Sequence, residues 1–192
     1  MDFEKDAFAG AVSLWTEWNS KINVVSRKDV ENLFEHHILH SLAIAEYLSR
    51  TGLLEGTETV LDIGTGGGFP GIPLAIAMPG THFTLCDSIS KKIKVAEAVS
   101  EGLGLKNVTS VHDNVFDFLP ICREKFDIIF ADPPYALEGL ETVPDKVLAR
   151  DILHPGCYFI LEHGGEHSFR EHPFFVKERS YGRVHFTFFV KK

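Results

Sequence analysis

Asp132-Pro133-Pro134-Tyr135 stands directly after the apolar run Phe126-Asp127-Ile128-Ile129-Phe130-Ala131. An exocyclic amine conjugated to a base is a poor nucleophile. Acceptors that hold its hydrogens favour attack by its nitrogen on an electrophile, and Asp132 and the Pro133 carbonyl offer such acceptors. Two successive prolines fix the backbone, so the acceptors are in place before any reaction begins. Tyr135 offers a ring on which a flipped base can stack, worth ~1–3 kcal/mol. The competing reading is a proline-rich loop without chemistry.

A second stretch has the types and spacing to hold a nucleotide. Val60-Leu61-Asp62-Ile63 is a short apolar run carrying a carboxylate, and five glycines follow between Gly64 and Gly71. Glycine tolerates positive φ and lets a ligand approach the backbone. The apolar segment from Ile72 to Met78 reads as a helix whose N-terminus presents unpaired N–H groups. Asp87 ends the next apolar run, 19 residues after Gly68, where a carboxylate can accept ribose hydroxyls. Gly66, Gly68 and Gly71 also satisfy the dinucleotide spacing. The glycines therefore leave a nicotinamide cofactor and S-adenosylmethionine both open.

Strands are predicted at about 59–63, 82–86, 108–112, 126–131 and 158–162, with helices between them at 72–78, 91–103 and 143–150. Alternating β and α units imply a doubly wound α/β sheet. Ligands bind at the carboxyl ends of such strands. The glycine stretch, Asp87, Asp113-Asn114 and Asp132-Pro133-Pro134-Tyr135 all fall there. Asp62, Gly64, Thr65, Gly66, Gly68 and Phe69 would form the first part of a cofactor site. Asp87 and Ser88 would hold the ribose. Asp113 and Asn114 would meet an adenine amino group, with Val115 or Phe116 covering the ring. Residues 174–179 and 184–190 read as a terminal strand pair around Ser180-Tyr181-Gly182. Upstream, 3–18 and 29–50 read as two helices capping the sheet, joined by a loop over 19–27. The expected organisation is one domain, 1–192, with a helical cap over 1–52 and an α/β core over 57–192.

The chain has 192 residues, 44% of them hydrophobic, and a formal charge of −8. An acidic chain is a poor non-specific binder of nucleic acid, so RNA would dock on a limited face. Lys21, Arg27, Lys28, Arg179 and Arg183 are the candidates for it. Cys86, Cys122 and Cys157 are widely spaced and read as reduced thiols. His36 and His40 share a helix face without a recognisable metal pattern, so no metal is expected. The acidic N-terminus does not read as a secretory signal, and no apolar run approaches ~20 residues. A cytoplasmic monomer without membrane contact is the expectation.

Two resemblances follow from these motifs. Residues from about 12 to 112 closely resemble the glucose-inhibited division protein B family, bacterial small-subunit rRNA guanine-N7 methyltransferases. The resemblance is carried by Trp18-Asn19-x-Lys21-x-Asn23-Val24, His37-Ile38-Leu39-His40-Ser41-Leu42, the stretch Leu61–Leu74, and Asp87-Ser88-x-x-Lys91-Lys92. The Ser-Arg-Ala-type segment that normally follows the fourth strand in that family is absent. Residues from about 125 to 189 instead resemble the small-subunit rRNA guanine-N2 methyltransferases, through Asp132-Pro133-Pro134-Tyr135, Leu161-Glu162-His163 and Arg179-x-Tyr181-Gly182. That pattern is a hybrid joined within 113–125. Both resemblances imply a class I S-adenosylmethionine-dependent methyltransferase fold with a seven-stranded sheet, S-adenosylmethionine as cofactor, and small-subunit rRNA or the ribosomal subunit as partner. Asp132, Pro133, Pro134 and Tyr135 would carry catalysis. The motif at the reacting atom favours the exocyclic N2; the N-terminal half keeps N7 open. An NAD-linked oxidoreductase and a catalytically silent, cofactor-binding hybrid are the competing functions.

Overall fold

The computed structural model describes residues 5–52, 55–134 and 137–191. Tyr135 and the side chains of Arg27 and Lys28 lie outside the described residues. Among the described residues, seven strands form one sheet: β1 (Thr59–Ile63), β2 (His82–Asp87), β3 (Val108–His112), β4 (Phe126–Ala131), β5 (Leu153–Gly164), β6 (Phe175–Tyr181) and β7 (Val184–Val190). Their order is β3-β2-β1-β4-β5-β7-β6. The first five run parallel, while β7 pairs antiparallel with both β5 and β6. This is the class I methyltransferase topology that the alternating elements and terminal strand pair imply. The order reverses between β1 and β4, so the switch-point crevice opens above Gly64 and Asp132.

The helices are α1 (Ala9–Lys21), α2 (Arg27–Val30), α3 (Leu39–Arg50), α4 (Gly71–Ala77), α5 (Ser90–Gly102), α6 (Val115–Ile121) and α7 (Val143–Leu148). Strand side chains alternate between the two faces. Val60, Ile128, Phe130, Ile160 and Phe186 pack with α1, α3, α4 and α5. Leu61, Ile129, Phe159 and Leu161 pack with α6 and α7 on the other face. Burial on both sides explains why β4 and β5 read as continuous apolar runs.

Several boundaries differ from expectation. α1 continues to Lys21, into the stretch expected to be a loop. The helix expected over 29–50 is broken: α2 is one short turn, and Phe34–Ile38 forms a π-helical turn before α3. α6 was unexpected because Pro120 interrupts its pattern; Asn114 starts it by accepting from the Phe116 amide at 2.9 Å. β5 begins at Leu153 instead of 158, because its register against β4 shifts and absorbs His154-Pro155-Gly156. Tyr181 belongs to β6, and the turn is Gly182-Arg183. No helix among the described residues is long and apolar enough to cross a membrane.

The cap is tied to the sheet by Trp15, which is fully buried. Its ring stacks on Phe69 at 4.3 Å, and its Nε1 donates to the Gly67 carbonyl at 2.8 Å. Trp15→Phe should keep the stacking and lose about 1 kcal/mol with the hydrogen bond. Trp15→Ala should cost about 3–5 kcal/mol. Denaturant unfolding of both variants checks the order, and equal losses would contradict it.

Candidate active site

A cleft of about 630 Å³ opens at the carboxyl ends of β1, β2, β4 and β5. Each strand brings one feature to it: Gly64 after β1, Asp87 from β2, Asp132 after β4 and Glu162 from β5. Ser88, Asn114, Val115, Phe116, Pro133 and Pro134 also line it, as expected.

The glycine loop is built from below by a carboxylate. Asp62 is almost completely buried. Its Oδ2 accepts from the Thr65 hydroxyl at 2.7 Å and the Gly71 amide at 3.0 Å. Its Oδ1 has no hydrogen-bond partner among the described residues. Burial pushes the Asp62 carboxyl up to about 8, against the lowering effect of Thr65 and Gly71. A side chain at Gly71 would overlap Leu85 and Asp62, so this glycine is required by close packing. At Gly64, with φ 76°, a Cβ would meet only the Asp132 carbonyl, at 3.8 Å. Gly64 therefore leaves open backbone at the mouth of the cleft.

Asp87 does two things. Its Oδ2 accepts from the Gly66 amide at 2.9 Å and its Oδ1 from the Ile89 amide at 2.7 Å. Each carboxylate oxygen has a further lone pair, and Asp87 lines the cleft. It is thus held in place by backbone while keeping acceptor capacity for hydroxyl groups.

Some expected cofactor residues are placed elsewhere. Asp62, Thr65, Gly66, Gly68 and Phe69 do not line the cleft; they form the loop and its supports. Phe69 turns away, stacked on Trp15 at 4.3 Å and tilted against His37 at 5.1 Å. Asp113 stays outside the cleft as well, meeting β2 through its backbone. Asn114 serves chiefly as the α6 cap. Ser88 lines the cleft but does not cap α5, whose first residue follows an uncapped Ile89.

Two residues absent from the expected site belong to it. Glu162 is 5% exposed and lines the cleft. His40, on α3, does not line the cleft but braces Glu162, its Nε2 lying 3.2 Å from Glu162 Oε2. This bond raises the His40 pKa, opposed by burial and helped by the charges of Glu162 and Asp132. Asp132, open to the cleft, is raised chiefly by burial and then by Glu162, while His40 opposes. The signal was present: Glu162 is the only acid in the 158–162 run, at its end. His36 instead faces Asp29 at 3.1 Å, so His36 and His40 serve different partners. No group of three or more His, Cys, Asp or Glu among the described residues is placed to hold a metal.

The expected RNA face is divided. Lys21 pairs with Glu17 at 2.7 Å on α1, which packs against α5. Arg179 and Arg183 are exposed at the β6 edge, the opposite end of the sheet.

With this geometry in place, residues 5–161 match the family described as rRNA small subunit methyltransferase G. The chain belongs to that family. A relative named ribosomal RNA small subunit methyltransferase G, from Porphyromonas gingivalis, is 47% identical over 153 residues, covering 77% of this chain and 63% of the relative. The chain spans between half and two thirds of the length of the curated relatives it matches. Among solved structures, a hypothetical protein from Thermus thermophilus superposes with a TM-score of 0.69 at 22% identity, over 82% of this chain and 88% of that one. A T. thermophilus 16S rRNA N2 methyltransferase, solved with AdoMet and guanosine, gives 0.62 at 22% identity, over 88% and 44%. At these identities the likeness is one of fold. The family match spans 5–161, across the stretch where the sequence suggests a join, and ends before the terminal strand pair.

The Asp62 shift gives a pH signature. A carboxyl raised from 3.8 to about 8 in the folded state binds more protons folded than unfolded, so stability falls as pH rises between those values. Asp62→Asn keeps an oxygen acceptor and cannot ionise. The melting temperature of Asp62→Asn relative to the parent should therefore climb with pH across that window. A pH-independent difference in thermal scans would contradict the assignment.

Proposed function

We propose that the chain is an S-adenosylmethionine-dependent methyltransferase acting on ring N7 of a guanine in small-subunit rRNA. The observation that carries this reading is the family match over 5–161, which takes in the glycine loop, Asp87 and Asp132 and ends inside β5. It outweighs the local motif that favoured N2.

The cleft fits the cofactor. Gly64 offers open backbone, Asp87 keeps lone pairs for ribose hydroxyls, and Ile89, Val115, Phe116 and Leu137 give apolar walls for a purine. When bound, S-adenosylmethionine supplies an electrophilic methyl group. Guanine N7 has an in-plane lone pair and no proton to lose, so the protein need only position it. Methylation leaves positive charge on the ring. Asp132 and Glu162, which line the cleft, favour that charge where it develops. His40 holds Glu162 in orientation.

N2 methylation is the second reading, supported by the Asp132-Pro133-Pro134 corner lining the cleft. There Asp132 and the Pro133 carbonyl would accept from the amino group. The roles of Gly64, Asp87, Ser88, Asn114, Val115 and Phe116 at the cofactor and of Asp132 at the base belong to this proposal. So does that of Tyr135, whose placement lies outside the described residues. Lys21, Arg27, Lys28, Arg179 and Arg183 are proposed RNA contacts.

Nuclease digestion and chromatography of the methylated rRNA test the reading. The expected product is 7-methylguanosine, with Asp132→Ala slowing turnover by up to ~100-fold, the loss typical of a preorganised polar group, without abolishing it. N2-methylguanosine as sole product, abolished by Asp132→Ala, would establish the second reading instead.

A further inference from the structure

A second hollow, of about 200 Å³, lies beside the cleft between α3 and the face of β5, β7 and β6. Its floor is Ile160, Phe186 and Phe188; Tyr47 stands on the α3 side, and Arg179 and Tyr181 on the β6 side. It is below the ~300–1,000 Å³ of sites for drug-sized molecules, a size suited to a single ring system. His40 lines it and links it to the active-site cleft through Glu162. The His40 ring lies 5.8 Å from that of Phe186, while its Nε2 meets Glu162, which lines the cleft. Whatever fills the hollow is thus next to whatever reacts.

The lining combines π-faces with cations. Tyr181 is 56% exposed and meets Phe186 edge-on at 6.0 Å. Lys177 Nζ lies 4.9 Å from the Tyr47 ring and 4.7 Å from that of Phe188. The Arg179 guanidinium lies 6.0 Å from Tyr47, and Arg183 is exposed in the adjoining turn. Three cations within seven residues stand out in a chain of net charge −8. The acid in that run, Glu178, is engaged by Arg170 at 3.3 Å and His185 at 3.5 Å. Stacking faces beside cations are what single-stranded nucleic acid needs: a ring for the base and a charge for the phosphate.

We infer that this hollow takes an unpaired RNA base flanking the guanine in the cleft, with Tyr181 and Phe186 against the base and Arg179 and Arg183 toward the backbone. The inference rests on the rRNA methyltransferase reading and adds a subsite to it. It also separates the roles of the basic residues. Arg179 of β6 pairs with Phe186 of β7, which in turn pairs with Glu162 of the cleft, whereas Lys21 lies on α1, which packs against α5.

The test compares parent, Tyr181→Ala, Tyr181→Phe and Arg179→Ala as full chains. It reads steady-state methylation of small-subunit rRNA, affinity for a labelled single-stranded oligoribonucleotide over a salt series, S-adenosylmethionine affinity by calorimetry, and thermal melting. Tyr181→Ala should raise KM for RNA about 10-fold, the scale of one lost stacking contact, with Tyr181→Phe near the parent. Arg179→Ala should weaken RNA binding and reduce the salt slope by about one. Cofactor affinity and melting should not change. Parent-like RNA affinity and KM in Tyr181→Ala and Arg179→Ala would overturn the subsite while leaving the methyltransferase reading intact. A loss seen only on assembled subunits, not on bare RNA, would assign the hollow to a ribosomal protein and also overturn it. A parent chain that neither binds nor methylates rRNA would bring down the proposed function itself.

Discussion

Asp62 sits beneath the glycine loop with one oxygen shared between the Thr65 hydroxyl and the Gly71 amide. Its burial disfavours the charged form, which pushes the carboxyl up to about 8. Glycines leave no side chains to pack, so their order must come from backbone groups held by something else. Asp62 holds the two ends of the loop, Asp87 holds the Gly66 amide, and Trp15 caps the Gly67 carbonyl from above. The cap helix and the sheet thus meet at the loop. Its shape is settled before any ligand arrives, which is the condition for cheap binding.

The acids around the cleft follow from topology. Parallel strands deliver their carboxyl ends to one edge, so Asp87 of β2, Asp132 just after β4 and Glu162 of β5 line the cleft, with Asp62 of β1 buried beneath the glycine loop. Like charges so arranged raise one another's proton affinity. Asp62 feels Asp132 and Asp87, and Asp132 feels Glu162. His40, on α3, hydrogen-bonds Glu162, which favours its protonated form. The cleft is therefore biased toward ligands that carry or gain positive charge.

Much of this was legible in the sequence. The apolar runs of β1, β2, β4 and β7 appear within about a residue of their bounds, because strands buried on both faces leave a composition signal that needs no partner to interpret. Asp87, the glycines and Asp132 were found from motif spacing. What escaped were roles decided by side-chain direction. Asp62 and Phe69 sit in the motif yet point away from the cleft, and no spacing rule distinguishes a carboxylate that binds a ligand from one that braces the loop below it. Glu162 and His40 are separated by 122 positions and meet only because α3 lies across β5 and β7. α6 was hidden by Pro120, and the early start of β5 by a register shift around a proline and a glycine.

The central claim is that the glycine loop is prebuilt by Asp62 and Asp87. Amide hydrogen exchange of Gly66 and Gly71 in the ligand-free protein tests it most directly, since those two N–H groups are the ones the carboxylates hold. Protection that matches the amides of β1 and is lost only with them is the expected result. Exchange of Gly66 and Gly71 at the rate of an unstructured peptide, with β1 still protected, would contradict the account.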